Sequence, residues 1–196
     1  MNAALVTSST VASPPRRRPQ AARTSAAVTY RSGAPSDAQA LHDLIQANLE
    51  EGHLLPRPLD ELSAHAQRFV VARRRGRVVG CAELAPLGAR VAEVRSLVVD
   101  RSARAHGIGR ALLTELQRRA RLAGFETLCA FTHDAGYFVR RGYSIVPHAW
   151  VPEKIALDCQ GCPKFRRCGQ HAVVLPLVER NEQPHGGFVP LASLRG

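Results

Sequence analysis

The sequence predicts a single domain of the α/β class, in which helices flank a mixed (α+β) sheet. Segments typical of strands alternate with amphipathic helices through the middle of the 196-residue chain, which favours a sheet with crossover helices. The apolar fraction of 45% is large enough for a core, which excludes a fully disordered protein. We expect the domain to span residues 27–178, between a disordered Arg/Ser/Pro-rich extension at 1–26 and a flexible tail at 179–196.

The extension contains few large apolar groups and cannot bury enough surface to offset the entropy of ordering. An Arg- and Ser-rich, acid-poor start is also typical of organelle transit peptides, so that alternative stays open. The apolar core of a secretory signal is missing, and no run approaches ~18 consecutive apolar residues. We therefore expect a cytoplasmic protein with no membrane partner, whose five cysteines stay reduced.

The first half of the domain predicts four strands and two helices. The strands are short apolar runs, at 28–31, 69–72, 78–84 and 93–99. The first helix begins near Pro35, with Ser36 as its expected cap and Gln39 three residues on, and the second covers 59–66. The stretch Arg74-Arg75-Gly76-Arg77 between two of the strands predicts a hairpin turn.

The second half predicts a long helix, a short helix and three strands. The long helix begins at Ile108 and ends at Gly124, and the short one covers 134–141 and is closed by Gly142. The strands are expected at 127–132, 143–146 and 172–178. Residues 147–170 follow no clear period and carry three cysteines, so we expect irregular structure there.

A glycine-containing loop between the strand at 93–99 and the long helix is the strongest local signal. Glycine lets a ligand come close to the backbone, and the unpaired N–H groups of a helix start favour a phosphate. A tight strand-to-helix turn also needs glycine, so two interpretations stay open, a phosphate-binding loop and a purely structural turn. The loop lacks the Gly-Lys-Ser/Thr of a Walker motif and the third glycine of a dinucleotide fingerprint. Its candidate phosphate-binding residues are Arg104, Ala105, His106, Gly107, Ile108, Gly109 and Arg110.

The net charge of +11 comes from 27 basic and 16 acidic residues and indicates a polyanionic partner. Residues 1–35 contribute five arginines and no acid, so much of the excess lies in the extension. The aromatic fraction is only 5%, and no basic strand is interleaved with aromatics. Because single-stranded nucleic acid is held by base stacking, a nucleic-acid-binding module is disfavoured.

Two motifs together resemble the GNAT N-acetyltransferase superfamily. The first is Arg-x-x-Gly-x-Gly at 104–109 after an apolar strand, which resembles the superfamily's acetyl-CoA pyrophosphate loop. The second is Tyr-Phe-Val-Arg-Arg-Gly-Tyr at 137–143, which resembles its late helix-to-strand segment.

Further stretches are similar to the amino-acid N-acetyltransferases that act as N-acetylglutamate synthases, in their short stand-alone form. The likeness covers residues 28–178. The stretches are HLLPRPLDEL at 53–62, AEVRSLVV at 92–99, HAWVPEKIALDCQGCPKF at 148–165 and CGQHAVVLPL at 168–177.

This resemblance implies a fold, a reaction and its substrates. The parallel strands at 93–99 and 127–132 would splay apart and hold the pantetheine arm of acetyl-CoA between them. Backbone groups of Leu97, Val98 and Val99 would bind that arm, and one of their N–H groups would meet the oxyanion of the reaction. The acceptor would be L-glutamate, in the first step of arginine biosynthesis, and a homodimer is possible. A GNAT that acetylates another amino acid, a polyamine or a protein amine is the alternative.

The resemblance also implies roles for single residues. Glu93 would act as general base, through water, on the acceptor's ammonium. Arg57 and Arg95, with Lys154 as a weaker third, would anchor the two carboxylates of glutamate. Thr132 would contact substrate or cofactor, or cap the next helix.

Phe138, expected at the cofactor, occupies the position where many superfamily members have the tyrosine that protonates the leaving thiolate. The neighbouring Tyr137 would point about 100° away on a helix. The sequence therefore leaves the source of that proton open.

The segment after residue 158 contains four potential metal ligands, Cys159, Cys162, Cys168 and His171. Such a set is typical of zinc sites, although the spacing is compressed and a second Cys pair is missing. Bound zinc, a redox-sensitive thiol pair and unliganded thiols all stay open, and no metal is assigned. Cys81 and Cys129 lie in predicted strands and are interpreted as small core residues.

Overall fold

The computed structural model describes residues 27–51, 54–162 and 164–178. The extension predicted at 1–26 and the tail predicted at 179–196 lie outside the described residues. Across the described ranges, no helix combines the length and the apolar character needed to cross a membrane.

The elements follow the predicted order along the chain. The strands are β1 (Thr29–Ser32), β2 (Phe69–Arg74), β3 (Arg77–Pro86), β4 (Val91–Val99), β5 (Thr127–Thr132), β6 (Ser144–Val146) and β7 (His171–Pro176). The α-helices are α1 (Ala38–Gln46), α2 (Leu59–Ala64), α3 (Ile108–Leu122), α4 (Ala135–Val139) and α5 (Pro152–Lys154).

The seven strands form one sheet in the order β1-β2-β3-β4-β5-β7-β6. Neighbouring strands are antiparallel except β4 and β5, which are parallel and are connected by α3. The predicted α/β class and mixed sheet are confirmed.

The parallel pair separates soon after it begins. Only Val91–Glu93 of β4 pair with β5, opposite Thr127–Cys129. The splay of the central parallel strands, implied by the resemblance, is therefore present. It leaves the edges of both strands that face each other free of ladder hydrogen bonds beyond these residues.

A β-bulge lies in β4 just past this point. Cys81 of β3 faces Val98 and Glu83 faces Arg95, so Ser96 and Leu97 together oppose the single residue between Cys81 and Glu83. Ser96 has a φ of 47°, which a non-glycine residue adopts only at a backbone cost of about 1–3 kcal/mol. Bulges of this kind redirect the residues that follow, and they occur often beside functional sites.

Helices cover both faces of the sheet. On one face the apolar side of α3 packs with the inward side chains of β2 to β5, and on the other α1 and α2 pack on Phe69, Val71 and Cys81. A Cβ atom at Gly80 would lie 3.1 Å from Ile108 and 3.2 Å from Leu112, so this glycine lets α3 approach β3 closely.

The predicted turn and cap glycines are confirmed, because Gly124 and Gly142 have φ values of 80° and 88°. At the hairpin, Arg75 (φ 52°) and Gly76 (φ 77°) fit a type I′ turn. Residues 147–170 are not simply irregular, since α5 runs into a π-helical turn at Ile155–Cys159.

The prediction that Ser36 caps the first helix is wrong. The chain enters through a 3-10 turn, Pro35–Asp37, and the Asp37 carboxylate accepts the Ala34 N–H at 2.8 Å. The Asp37 side chain is buried, and the ion pairs with Arg31 and Arg73, at 2.7 and 3.0 Å, compensate its charge. The hydrogen bond from Arg31 is the main reason that the pKa of Asp37 lies below its usual range.

Candidate active site

A cavity of about 920 Å³ opens where β4 and β5 separate. Its walls come from the second half of β4, the end of β5, the start of α3 and α4. The segment before α2 and the region from α5 to residue 170 close its other end. The splay therefore opens a cavity in the middle of the sheet.

The end of the cavity at α3 is suited to phosphate. Gly107 has a φ of 75°, and nothing lies within 4 Å of the position of a Cβ atom there. The first N–H groups of the 15-residue α3 have no partner within the helix and point towards this loop. Six of the seven predicted loop residues line the cavity, including Arg104 and Arg110.

The seventh loop residue, His106, is placed differently. Its Nδ1 lies 2.6 Å from the Arg104 carbonyl oxygen, so the ring turns back on the loop. Arg104 itself donates to Asn48 Oδ1 at 2.7 Å and to Glu51 Oε2 at 2.9 Å. Asn48 and Glu51 also line the cavity, and the sequence did not single them out.

The predicted strand residues lie at the open edge. Leu97, Val98 and Val99 line the cavity and belong to the part of β4 that β5 does not pair. On that side their backbone groups make no ladder hydrogen bonds with β5, and the Val99 carbonyl oxygen accepts a hydrogen bond from Arg104 Nε at 3.1 Å.

Phe138 lines the cavity too, but its ring is a core group. It is 6% exposed and packs edge-on against Tyr143 at 5.2 Å between centroids.

Tyr137 was expected to point away from the site, but it lines the cavity. A Cβ atom at Gly109 would lie 3.0 Å from the Tyr137 hydroxyl oxygen, which places that hydroxyl beside the glycine-containing loop at 104–110. The hydroxyl is buried and has no hydrogen-bond partner among the described residues. Burial raises the pKa of Tyr137, so the phenol is protonated near neutral pH and can donate a hydrogen bond.

At the other end of the cavity, Arg57 lies over β3 and β4. Its Nη1 donates to Glu83 Oε2 at 2.8 Å and to Ser96 Oγ at 3.1 Å, and its Nη2 donates to Glu61 Oε1 at 2.7 Å. Burial lowers the pKa of Arg57, but the two carboxylates more than offset that effect. The bulge in β4 thus helps to position the first predicted substrate anchor.

Glu93, Arg95 and Lys154, all predicted site residues, meet in a second cluster. Lys154 Nζ lies 2.8 Å from Glu93 Oε1, and Arg95 Nε donates to Glu93 Oε2 at 2.5 Å. Asp158 completes the cluster, because it accepts from Arg95 and, at 2.9 Å, from Lys154. The Glu93 side chain is 4% exposed, and Arg95 and Lys154 both flank its carboxylate group.

Thr132 lies at the rim of the cavity and serves the turn that follows β5. Its Oγ1 accepts the Asp134 N–H at 3.0 Å, and Asp134 in turn caps α4 by accepting the Tyr137 N–H at 2.9 Å. The cap of α4 is therefore Asp134 and not Thr132, so the cap interpretation of Thr132 is wrong, and its contact with substrate or cofactor stays a prediction.

The cysteine-rich segment contributes Cys162 to the lining of the cavity. The described residues bring no three His, Cys, Asp or Glu side chains together in a way that could hold a metal ion. Cys159, Cys162 and Cys168 are free thiols, and burial raises the pKa of Cys159.

Comparison with known proteins agrees with this geometry. Residues 38–143 match the Acetyltransferase (GNAT) family. An uncharacterized N-acetyltransferase of Chlorobaculum tepidum is 33% identical over 147 residues, which cover 75% of this chain and 95% of that protein.

Two further proteins resemble this chain over only part of their own length. The amino-acid acetyltransferase of Pseudomonas syringae is 34% identical over 115 residues, which are 58% of this chain but 27% of that enzyme. The structure of N-acetylglutamate synthase from Neisseria gonorrhoeae, complexed with coenzyme A and N-acetyl-glutamate, matches with a TM-score of 0.70 and 28% identity. That match covers 78% of this chain and 36% of the synthase chain.

Proposed function

Because the chain belongs to the GNAT acetyltransferase family, and is thus an acetyl-CoA-dependent N-acetyltransferase, we propose that its acceptor is the α-amino group of L-glutamate. The product would be N-acetyl-L-glutamate, and the reaction would open arginine biosynthesis in the cytoplasm. The observation that carries the proposal is that one cavity combines a splayed sheet edge with three cationic side chains, those of Arg57, Arg95 and Lys154.

The splayed edge and the glycine loop support acetyl-CoA as the co-substrate. The edge of Leu97–Val99 that β5 does not pair matches an amide-containing arm, and the start of α3 with Arg104 and Arg110 matches a pyrophosphate. Bound acetyl-CoA supplies an acetyl thioester for transfer to an amine. A fixed β4 N–H directed at the thioester oxygen would stabilise negative charge there by about 3–4 kcal/mol.

The cations at the far end support a dicarboxylic acceptor. Arg57 presents a planar fork of donors, which suits a carboxylate, and Arg95 with Lys154 presents a second cationic group. Two such groups in one cavity match the two carboxylates of glutamate.

We propose that two side chains transfer protons in the reaction. We assign Glu93, next to both cations and in the cavity wall, as the base that receives the ammonium proton through water. Tyr137, with its buried and unpartnered hydroxyl, is the donor to the leaving thiolate, a role for which Phe138 has no suitable group.

The direct test is an acetyl-CoA consumption assay across the twenty common amino acids. Glutamate should give the highest kcat/KM, well above glutamine, because glutamine offers only one carboxylate to the two cationic groups. A clear preference for lysine or for a polyamine would refute the proposal and support the alternative of another amine acceptor.

A further inference from the structure

The acceptor end of the cavity has a regular arrangement of ion pairs. Arg57 is shared between an inner and an outer carboxylate. The inner one, Glu83, has a side chain that is 1% exposed, whereas the side chain of the outer one, Glu61, is 34% exposed. Glu61 binds the Arg57 fork with both oxygens, at 2.7 and 3.2 Å, which is how a substrate carboxylate would bind it.

The second cluster repeats the arrangement. The inner carboxylate, Glu93, is 4% exposed and contacts both Arg95 and Lys154. The outer carboxylate, Asp158, is 36% exposed and contacts the same two cations. Each cationic group therefore has one partner that cannot leave the protein interior and one that borders solvent.

The charge balance excludes simple addition of an acidic acceptor. Three cations face four carboxylates at this end, so two further carboxylates would enter a site that is already negative. Without Glu61 and Asp158, three cations would face two carboxylates, and an acceptor of net charge −1 would restore neutrality.

We propose that Glu61 and Asp158 are place-holding carboxylates, which occupy the positions of the acceptor's two carboxylates and leave when it binds. The inference rests on the proposed function, since it requires a dicarboxylic acceptor. Both residues can turn into solvent by side-chain rotation, because the side chains of Glu61 and Asp158 are 34% and 36% exposed. In the free enzyme they keep the partly buried cations compensated.

Glutarate is the probe for displacement, because it carries two carboxylates and no amine to acetylate. Its dissociation constant is measured by calorimetry, with coenzyme A present, for the wild type, Glu61→Gln and Asp158→Asn. Removing a competing exposed carboxylate should lower that constant roughly two- to fivefold in each variant. The KM for glutamate should fall by a similar factor, with the KM for acetyl-CoA unchanged.

The matched control is Glu115→Gln. Glu115 binds Arg118 and Arg119 on α3 at 2.7 and 2.9 Å, outside the cavity lining, and should leave the glutarate constant unchanged. Thermal melts of all variants check that each is folded.

A glutarate constant that is unchanged or raised in a variant overturns the inference for that carboxylate. If the wild type does not acetylate glutamate, the proposed function fails. Tighter glutarate binding by the two variants would still support displacement in that case. The substrate assay and the glutarate titration therefore distinguish a failure of the proposed function from a failure of the displacement.

Discussion

Replacing Arg57 by methionine separates the structural and the substrate-binding roles of this side chain. Arg57→Met keeps the aliphatic stem and removes the guanidinium, which is the partner of the 1% exposed Glu83 side chain. A buried carboxylate without its partner costs about 3–5 kcal/mol of folding free energy. For a domain of this size, that loss lowers Tm by roughly 6–20 °C.

The double variant Arg57→Met with Glu83→Gln removes the uncompensated charge, and we expect it to regain most of the lost stability. The contact with the acceptor stays lost. A hydrogen bond to a charged group is worth about 1.5–3 kcal/mol, so the KM for glutamate should rise roughly 10- to 150-fold in both variants.

Thermal melts and initial rates, with each substrate varied in turn, measure these effects. The KM for acetyl-CoA should not change, because Arg57 lies at the acceptor end of the cavity. A double variant with the wild-type KM for glutamate, or an equal rise in both KM values, would refute the assignment. A single variant that melts with the wild type would refute the argument from the buried ion pair.

Three further predictions concern other residues. Glu93→Gln should lower kcat by about 10²–10⁴, and unchanged turnover at neutral and low pH would contradict its role as base. Tyr137→Phe should lower kcat by about 10² while Tm stays unchanged, because the hydroxyl has no hydrogen-bond partner among the described residues; wild-type turnover would exclude it as the proton donor. Asp37→Asn should cost about 1.5–3 kcal/mol at neutral pH, because it weakens the hydrogen bonds with Arg31 and Arg73, which stay partly exposed. Because Arg31 holds the folded pKa of Asp37 below 3.8, its contribution is complete above that pH and is lost as the pH falls through the folded pKa. Melts of the variant and the wild type should therefore converge in acid, and a constant difference would contradict this account.

Local patterns predicted the elements well, because strands, helix ends and turns depend on neighbouring residues. Gly124, Gly142 and the Arg75-Gly76 turn were all identified from the sequence and have the expected positive φ. The cap of the first helix was mispredicted because Asp37 depends on Arg31 and Arg73, which come from β1 and β2. Only the strand register brings these two arginines together.

The same distinction applies to the site. The glycine loop is contiguous and could be found by inspection, whereas the ion pairs of the acceptor end are not. Glu83 gives no signal in the sequence, since its role follows from its position opposite Arg95 in the β3–β4 ladder. The contribution of Ser96 depends on a bulge at a non-glycine residue, which no local pattern predicts. Glu61 and Asp158 lie four residues from Arg57 and Lys154, but that spacing indicates contact only within a helix, and neither pair lies in a predicted helix.

The short pairing between β4 and β5 has a consequence for folding as well as for binding. In hydrogen-bonding terms, strands β1 to β4 and strands β5 to β7 are two sheets joined along a seam of three residue pairs. A ligand arm that bonds to both edges past the seam would act as an additional strand and extend the join. The co-substrate would then make the two halves of the domain unfold together, and the free protein would open first along this line.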